Sequence, residues 1–174
     1  MEKVSESLKN IIGKWVVTEL TNQHTFYPPN EDALNHISEW QSFDINKIKE
    51  IPSNFLLYGI GKENIEINPL TDIQIEFTEI FRAKLTYHFK IYCKDKILKE
   101  IFWEISTETE YCDLSIVMGE VYNYARCKIE KLDDNELILI ERIDNNESDT
   151  YFHKIKLKKL KQSKGFLKRL FNRN

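Results

Sequence analysis

Along most of this chain apolar and polar residues alternate with a period of two. Ile73, Ile75 and Phe77 alternate with Asp72, Gln74, Glu76 and Thr78. Leu85, Tyr87, Phe89 and Ile91 alternate with Lys84, Thr86, His88 and Lys90. After the polar turn Lys94-Asp95-Lys96, Ile101, Trp103 and Ile105 share one parity of Ile97–Ser106. Tyr111–Met118, Tyr122–Leu132, Glu136–Ile143 and Tyr151–Leu160 continue the series. Their connectors, Asp133-Asp134-Asn135 and Asp144–Asp149, have turn composition. Successive side chains on a strand point to opposite faces, so this period predicts strands with one face buried and one in water. Lys14–Leu20, rich in β-branched and aromatic residues, reads as an earlier strand. Trp40–Phe43, Phe55–Ile60 and the Ile65/Ile67 pair read as further short strands.

Three segments have a helical pattern instead. Val4, Leu8, Ile11 and Ile12 fall on one helical face and Gly13 is a natural stop. Asn30 is placed to cap a short helix over Glu31–Ile37. In Lys164–Asn174, Phe166, Leu167, Leu170 and Phe171 share a face, with Lys168, Arg169 and Arg173 beside or opposite it, which makes a basic amphipathic helix.

Eight to ten short strands with hairpin-length connectors predict an all-β, antiparallel up-and-down barrel, because closure is the way such a sheet removes its edges. The last strand sets the facing. Tyr151, His153, Ile155 and Leu157 lie on one side and Phe152, Lys154, Lys156 and Lys158 on the other. Lysines are costly inside a barrel, so His153 is expected to face inward. The same rule turns Ala125, Cys127 and Ile129 inward. The expected organisation is one barrel over residues 1–160, with an irregular insertion at about 21–53, followed by the basic tail 161–174.

Two stretches resemble a known family. Leu8–Leu20, centred on Ile12-Gly13-Lys14-Trp15, is similar to the opening Gly-x-Trp of bacterial lipocalin-like (calycin-type) domains. Cys127–Leu139 resembles their late hairpin, and Tyr151–Leu160 their closing strand. The resemblance implies a short helix leading into the first strand and a Trp that plugs the closed end of the barrel. It also implies a protein that binds rather than catalyses. The Thr21–Ser53 stretch is longer than the family's first hairpin needs, and the lipobox or signal common in its bacterial members is not seen.

Charge adds a second possibility. The net charge of −3 hides an asymmetry: Lys154–Asn174 holds nine Lys or Arg and no acid, leaving 16 basic and 28 acidic residues before it, a net of −12. An acidic body disfavours nucleic acid and suits a basic protein partner. The tail suits docking on the body itself, a protein partner, or weak peripheral contact with an anionic membrane. Cys93, Cys112 and Cys127 are odd in number and lack Cys-x-x-Cys spacing, which predicts free thiols and a reducing, cytoplasmic compartment. High Lys, Ile, Asn and Glu with low Gly suggest an AT-rich bacterial source.

Catalytic and metal chemistry leave no trace in the spacing. His24, His36, His88 and His153 make no His-x-x-x-His pair, and no nucleophile elbow or Gly-rich phosphate loop is present. No enzyme activity, metal or cofactor is expected. The candidate chemistry is the barrel wall: Tyr87, Trp103, Tyr151 and His153 share the inward parity with Phe89, Ile101, Ile105 and Leu139. That composition describes either a small-ligand pocket or a filled core. The expected function is therefore a non-catalytic barrel holding a small apolar ligand. The alternative is an acidic interaction module, of the immunity or secretion-accessory kind, binding a basic protein through its surface.

Overall fold

The computed structural model describes residues 9–26, 39–50, 56–57, 60, 63–81, 85–105, 113–117, 124–144 and 149–161. They contain the strands β1 (Gly13–Phe26), β2 (Gln41–Ser42), β3 (Ile73–Phe81), β4 (Leu85–Cys93), β5 (Lys96–Ile105), β6 (Leu114–Val117), β7 (Tyr124–Leu132), β8 (Glu136–Asp144) and β9 (Asp149–Lys159). From β3 onward each strand pairs antiparallel with the next. β9 then returns to β1, in register from Trp15 opposite Lys159 to Phe26 opposite Asp149. β1 pairs in turn with β3 over Gly13–Val16. The sheet therefore rolls into a barrel whose last strand meets its first.

Local chemistry explains the hairpins. Between β4 and β5 the two turn residues Lys94 and Asp95 both take positive φ, 47° and 66°. A two-residue loop of that hand matches the twist of the strands it joins. Between β7 and β8, Asp133 Oδ1 accepts the backbone N–H groups of Asn135 and Glu136, each at 2.8 Å. A carboxylate that satisfies two turn amides fixes the chain reversal and hence the register.

Parity fills the interior as the alternation predicts. Ile73, Ile75 and Phe77 of β3, Ala125 and Cys127 of β7, and His153, Ile155 and Leu157 of β9 are buried. Lys158 is exposed, and Lys154 and Lys156 are half-buried on the outward face. Each fully buried Ile or Leu is worth about 1.5–3 kcal/mol over leaving it in water. Trp15, near the start of β1, is fully buried, and its indole N–H donates to the carbonyl of Ile11 at 2.8 Å. That bond satisfies the one polar atom of a side chain otherwise suited to filling a barrel end.

The other part of β1 is covered differently. β3 pairs with β1 only as far as Val16, and β2 takes over along that strand, with Ser42 opposite Thr21 and Gln41 opposite Asn22. Phe43 extends the pairing by donating its N–H to Leu20 at 2.9 Å. A 3₁₀ turn over Ile45–Glu50 follows and buries Ile48. Leu56, Leu57 and Ile60 join the same core.

Several expectations are corrected. Thr21–Phe26 belongs to β1, so the insertion begins after it. Of Phe55–Ile60, the described residues Leu56, Leu57 and Ile60 are not in a strand: Leu56 and Leu57 lie in a turn, with the N–H of Ile60 on the carbonyl of Leu57 at 3.0 Å. The run is apolar because it packs into the core, not because it alternates. Ile65 and Ile67 pair with no strand; Ile67 packs against the core from irregular chain. Trp40–Phe43 does contain a strand, reduced to β2. Of the N-terminal helix, Val4 and Leu8 lie outside the described residues; Lys9 ends a helical turn and Ile11 is buried. The Glu31–Ile37 helix and the basic helix of Lys164–Asn174 also lie outside the described residues.

Candidate functional site

The polar centre of the barrel interior arises from the pairing of β7, β8 and β9. Leu137, Leu139 and Glu141 alternate along β8, so Glu141 follows two buried leucines onto the inward face. Cys127 stands opposite it on β7 and His153 opposite it on β9. Leu114 of β6 continues the row beyond Cys127, and Asn22 of β1 continues it beyond His153.

Glu141 is fully buried. One carboxyl oxygen, Oε1, accepts the backbone N–H of Leu56 at 2.6 Å. The other, Oε2, is buried and meets no hydrogen-bond partner among the described residues. Burial pushes the carboxyl pKa up to about 8, against the smaller opposing effects of the Leu56 N–H and the Lys99 ammonium. At neutral pH the group is thus mostly a neutral acid, because a charge without solvent is costly. Lys99 on β5 is half-buried, and burial holds its ammonium below the usual lysine range.

His153 is also buried, and burial alone drives its pKa down to about 4. Its ring is therefore neutral at physiological pH. Phe43 meets it edge-on, with centroids 5.5 Å apart and planes at 65°. The segment that begins at β2 thus touches the interior twice, through Phe43 on His153 and through Leu56 on Glu141.

Of the residues expected to line the interior, Trp103 and His153 are buried there. Trp103 packs edge-on against Phe77 at 5.6 Å, and its row runs through Ile116 to Ala125. Ile116 and Leu114, like Ala125 and Cys127, are two residues apart on one strand. The Trp103 row is therefore next to the Glu141–His153 row. Tyr87 stands opposite Glu79, and Tyr151 between His24 and Ile143, at their backbone register positions. Phe166, Leu167, Lys168, Arg169, Leu170 and Phe171 lie outside the described residues. Sequence reasoning missed Glu141, although the Leu137–Leu139 parity points to it. It also missed Phe43 and Leu56, for which no periodic signal exists.

The wall brings together a neutral carboxylic acid, a neutral imidazole and aromatic edges within an apolar surround. Among the described residues no three of His, Cys, Asp and Glu converge as a metal site. Cys93 and Cys127 are buried and form no disulfide. The outside differs. A groove of about 530 Å³ between Thr18, Lys131, Asn135 and Lys156 is open and charged. Its charges are locally paired, Lys131 with Asp133 at 3.3 Å and Lys156 with Glu136 at 3.5 Å. Lys154 likewise pairs with Glu130 at 2.8 Å. Exposed pairs of this kind contribute little to stability or binding.

No protein-family model matches the chain. An uncharacterized helicase of Schizosaccharomyces pombe is 31% identical over 111 residues, which cover 64% of this chain but only 10% of that protein. Among solved structures, lobster apocrustacyanin A1 is similar with a TM-score of 0.46 and 14% identity, over 97% of this chain and 71% of that chain.

Proposed function

We propose that this protein is a lipocalin-like barrel that binds a small, largely apolar ligand in its interior and does not catalyse. The observation that carries the reading is the wall beside Trp103 and His153. Its buried side chains are apolar apart from Thr21, Gln23, His153 and a fully buried Glu141 carboxyl, one oxygen of which meets no hydrogen-bond partner among the described residues. A buried polar atom left unpaired costs about 1–3 kcal/mol. A ligand that satisfies it recovers that cost and gains from burying its own apolar surface.

The test is titration of the purified chain with Nile red, a neutral apolar dye, following its fluorescence. The expected result is saturable binding at one dye per chain, abolished by filling the interior with Ala125→Trp. Dye binding that survives Ala125→Trp in a folded variant, or no binding at all, refutes an interior site.

A further inference from the structure

We propose that Glu141 Oε2 is the polar anchor of this interior site and that the ligand bears an amine at its polar end. The inference rests on the carrier reading and narrows the ligand's class. Glu141 is held by the Leu56 N–H on Oε1, and its Oε2 is buried without a donor among the described residues. The neutral acid can pass its proton to an amine, and the carboxylate so formed accepts hydrogen bonds from the ammonium that are stronger than those between neutral groups. An ammonium group donates three hydrogen bonds and places a positive charge beside the carboxylate. Lys99 acts on Glu141 in the same sense as a ligand cation would, against the larger effect of burial. A ligand carboxylate would instead place a second acid against Glu141, which disfavours ionisation of both. An alcohol can donate one bond but brings no charge.

Calorimetric titration of the full chain with decylamine, decanol and decanoate, each below its micelle concentration, separates these cases. The amine is expected to bind at least about tenfold more tightly than the carboxylate, the gain of one charge-assisted hydrogen bond. Glu141→Gln should reduce that preference to within about twofold while leaving decanol unchanged. In the unsubstituted chain, the ¹³C signal of the Glu141 carboxyl should move to its ionised position on adding decylamine and stay put with decanol, a readout independent of how the variant folds. Decanoate binding as tightly as decylamine, a preference that survives Glu141→Gln, or a carboxyl signal indifferent to the amine overturns the anchor. In those cases decanol binding still upholds the carrier reading. If none of the three compounds binds, both fall.

Discussion

Replacing Glu141 by Gln isolates the energetic consequence of burying a carboxyl in the barrel wall. Glutamine keeps the shape and an oxygen for the Leu56 N–H, and removes the titration. In the folded protein burial raises the Glu141 pKa from 4.5 to about 8. The folded state therefore binds a proton that the unfolded state has released, and this contribution to stability, full below pH 4.5, is lost as pH rises through 8. His153 has the opposite sign. Its folded pKa of about 4 lies below 6.5, so its contribution is lost as pH falls. Between pH 4.5 and 6.5 the two slopes oppose each other; above about 7.5 His153 is neutral in both states and Glu141 acts without it. Integrating the Glu141 proton difference from pH 6.5 to 9 gives a loss of about 2 kcal/mol. Urea unfolding of the unsubstituted chain and of Glu141→Gln at both pH values measures it, since subtraction removes thiols and other groups common to both. The expected result is a difference in stability between the two proteins that shifts by about 2 kcal/mol in favour of Glu141→Gln at the higher pH. A pH-independent difference would show that the carboxyl titrates as if in water.

Three further outcomes follow from the same structure. Trp15→Ala leaves a cavity in the core and frees the Ile11 carbonyl, and should cost about 3–5 kcal/mol in urea unfolding; an unchanged midpoint removes Trp15 from the core. Gly13 has φ +136°, and a Cβ there would sit 3.0 Å from Lys159 Cε. Gly13→Ala should therefore cost about 1–3 kcal/mol, mainly through the backbone because the lysine tip can move; equal thermal midpoints would contradict that conformation. His153→Phe keeps a ring beside Phe43 and removes the buried imidazole, so the acid-side loss between pH 6.5 and 4, about 3 kcal/mol, should vanish from the pH–stability curve; an unaltered acid limb would mean that His153 is solvated.

The barrel wall was legible where one face meets apolar contacts and the other meets water. Ile73–Phe77 and His153–Leu157 are of that kind, and their facing is as the alternation implies. The method failed where burial and alternation part company. Thr21–Phe26 looks like loop because Thr21, Asn22, Gln23 and His24 are polar, yet it is strand, with Thr21 and Gln23 buried. Leu56, Leu57 and Ile60 look like part of a strand because their run is apolar, yet Leu56 and Leu57 lie in a turn and all three pack into the core. Half of the candidate site was visible in the same way. Trp103 and His153 follow from parity, and so does Glu141 once a charge at an inward position is taken literally. The partner of Glu141 is a backbone amide 85 residues away, a contact with no sequence pattern to announce it.

The central claim, that the interior of this barrel is its binding site, is tested most directly by mapping backbone and side-chain chemical shifts while a neutral apolar ligand is added. Shifts concentrated at Trp103, Ile116, Ala125, Leu139, Glu141 and His153 are the predicted result. Shifts confined to outward positions such as Lys128, Lys154 and Lys158, with the interior unmoved, would contradict it.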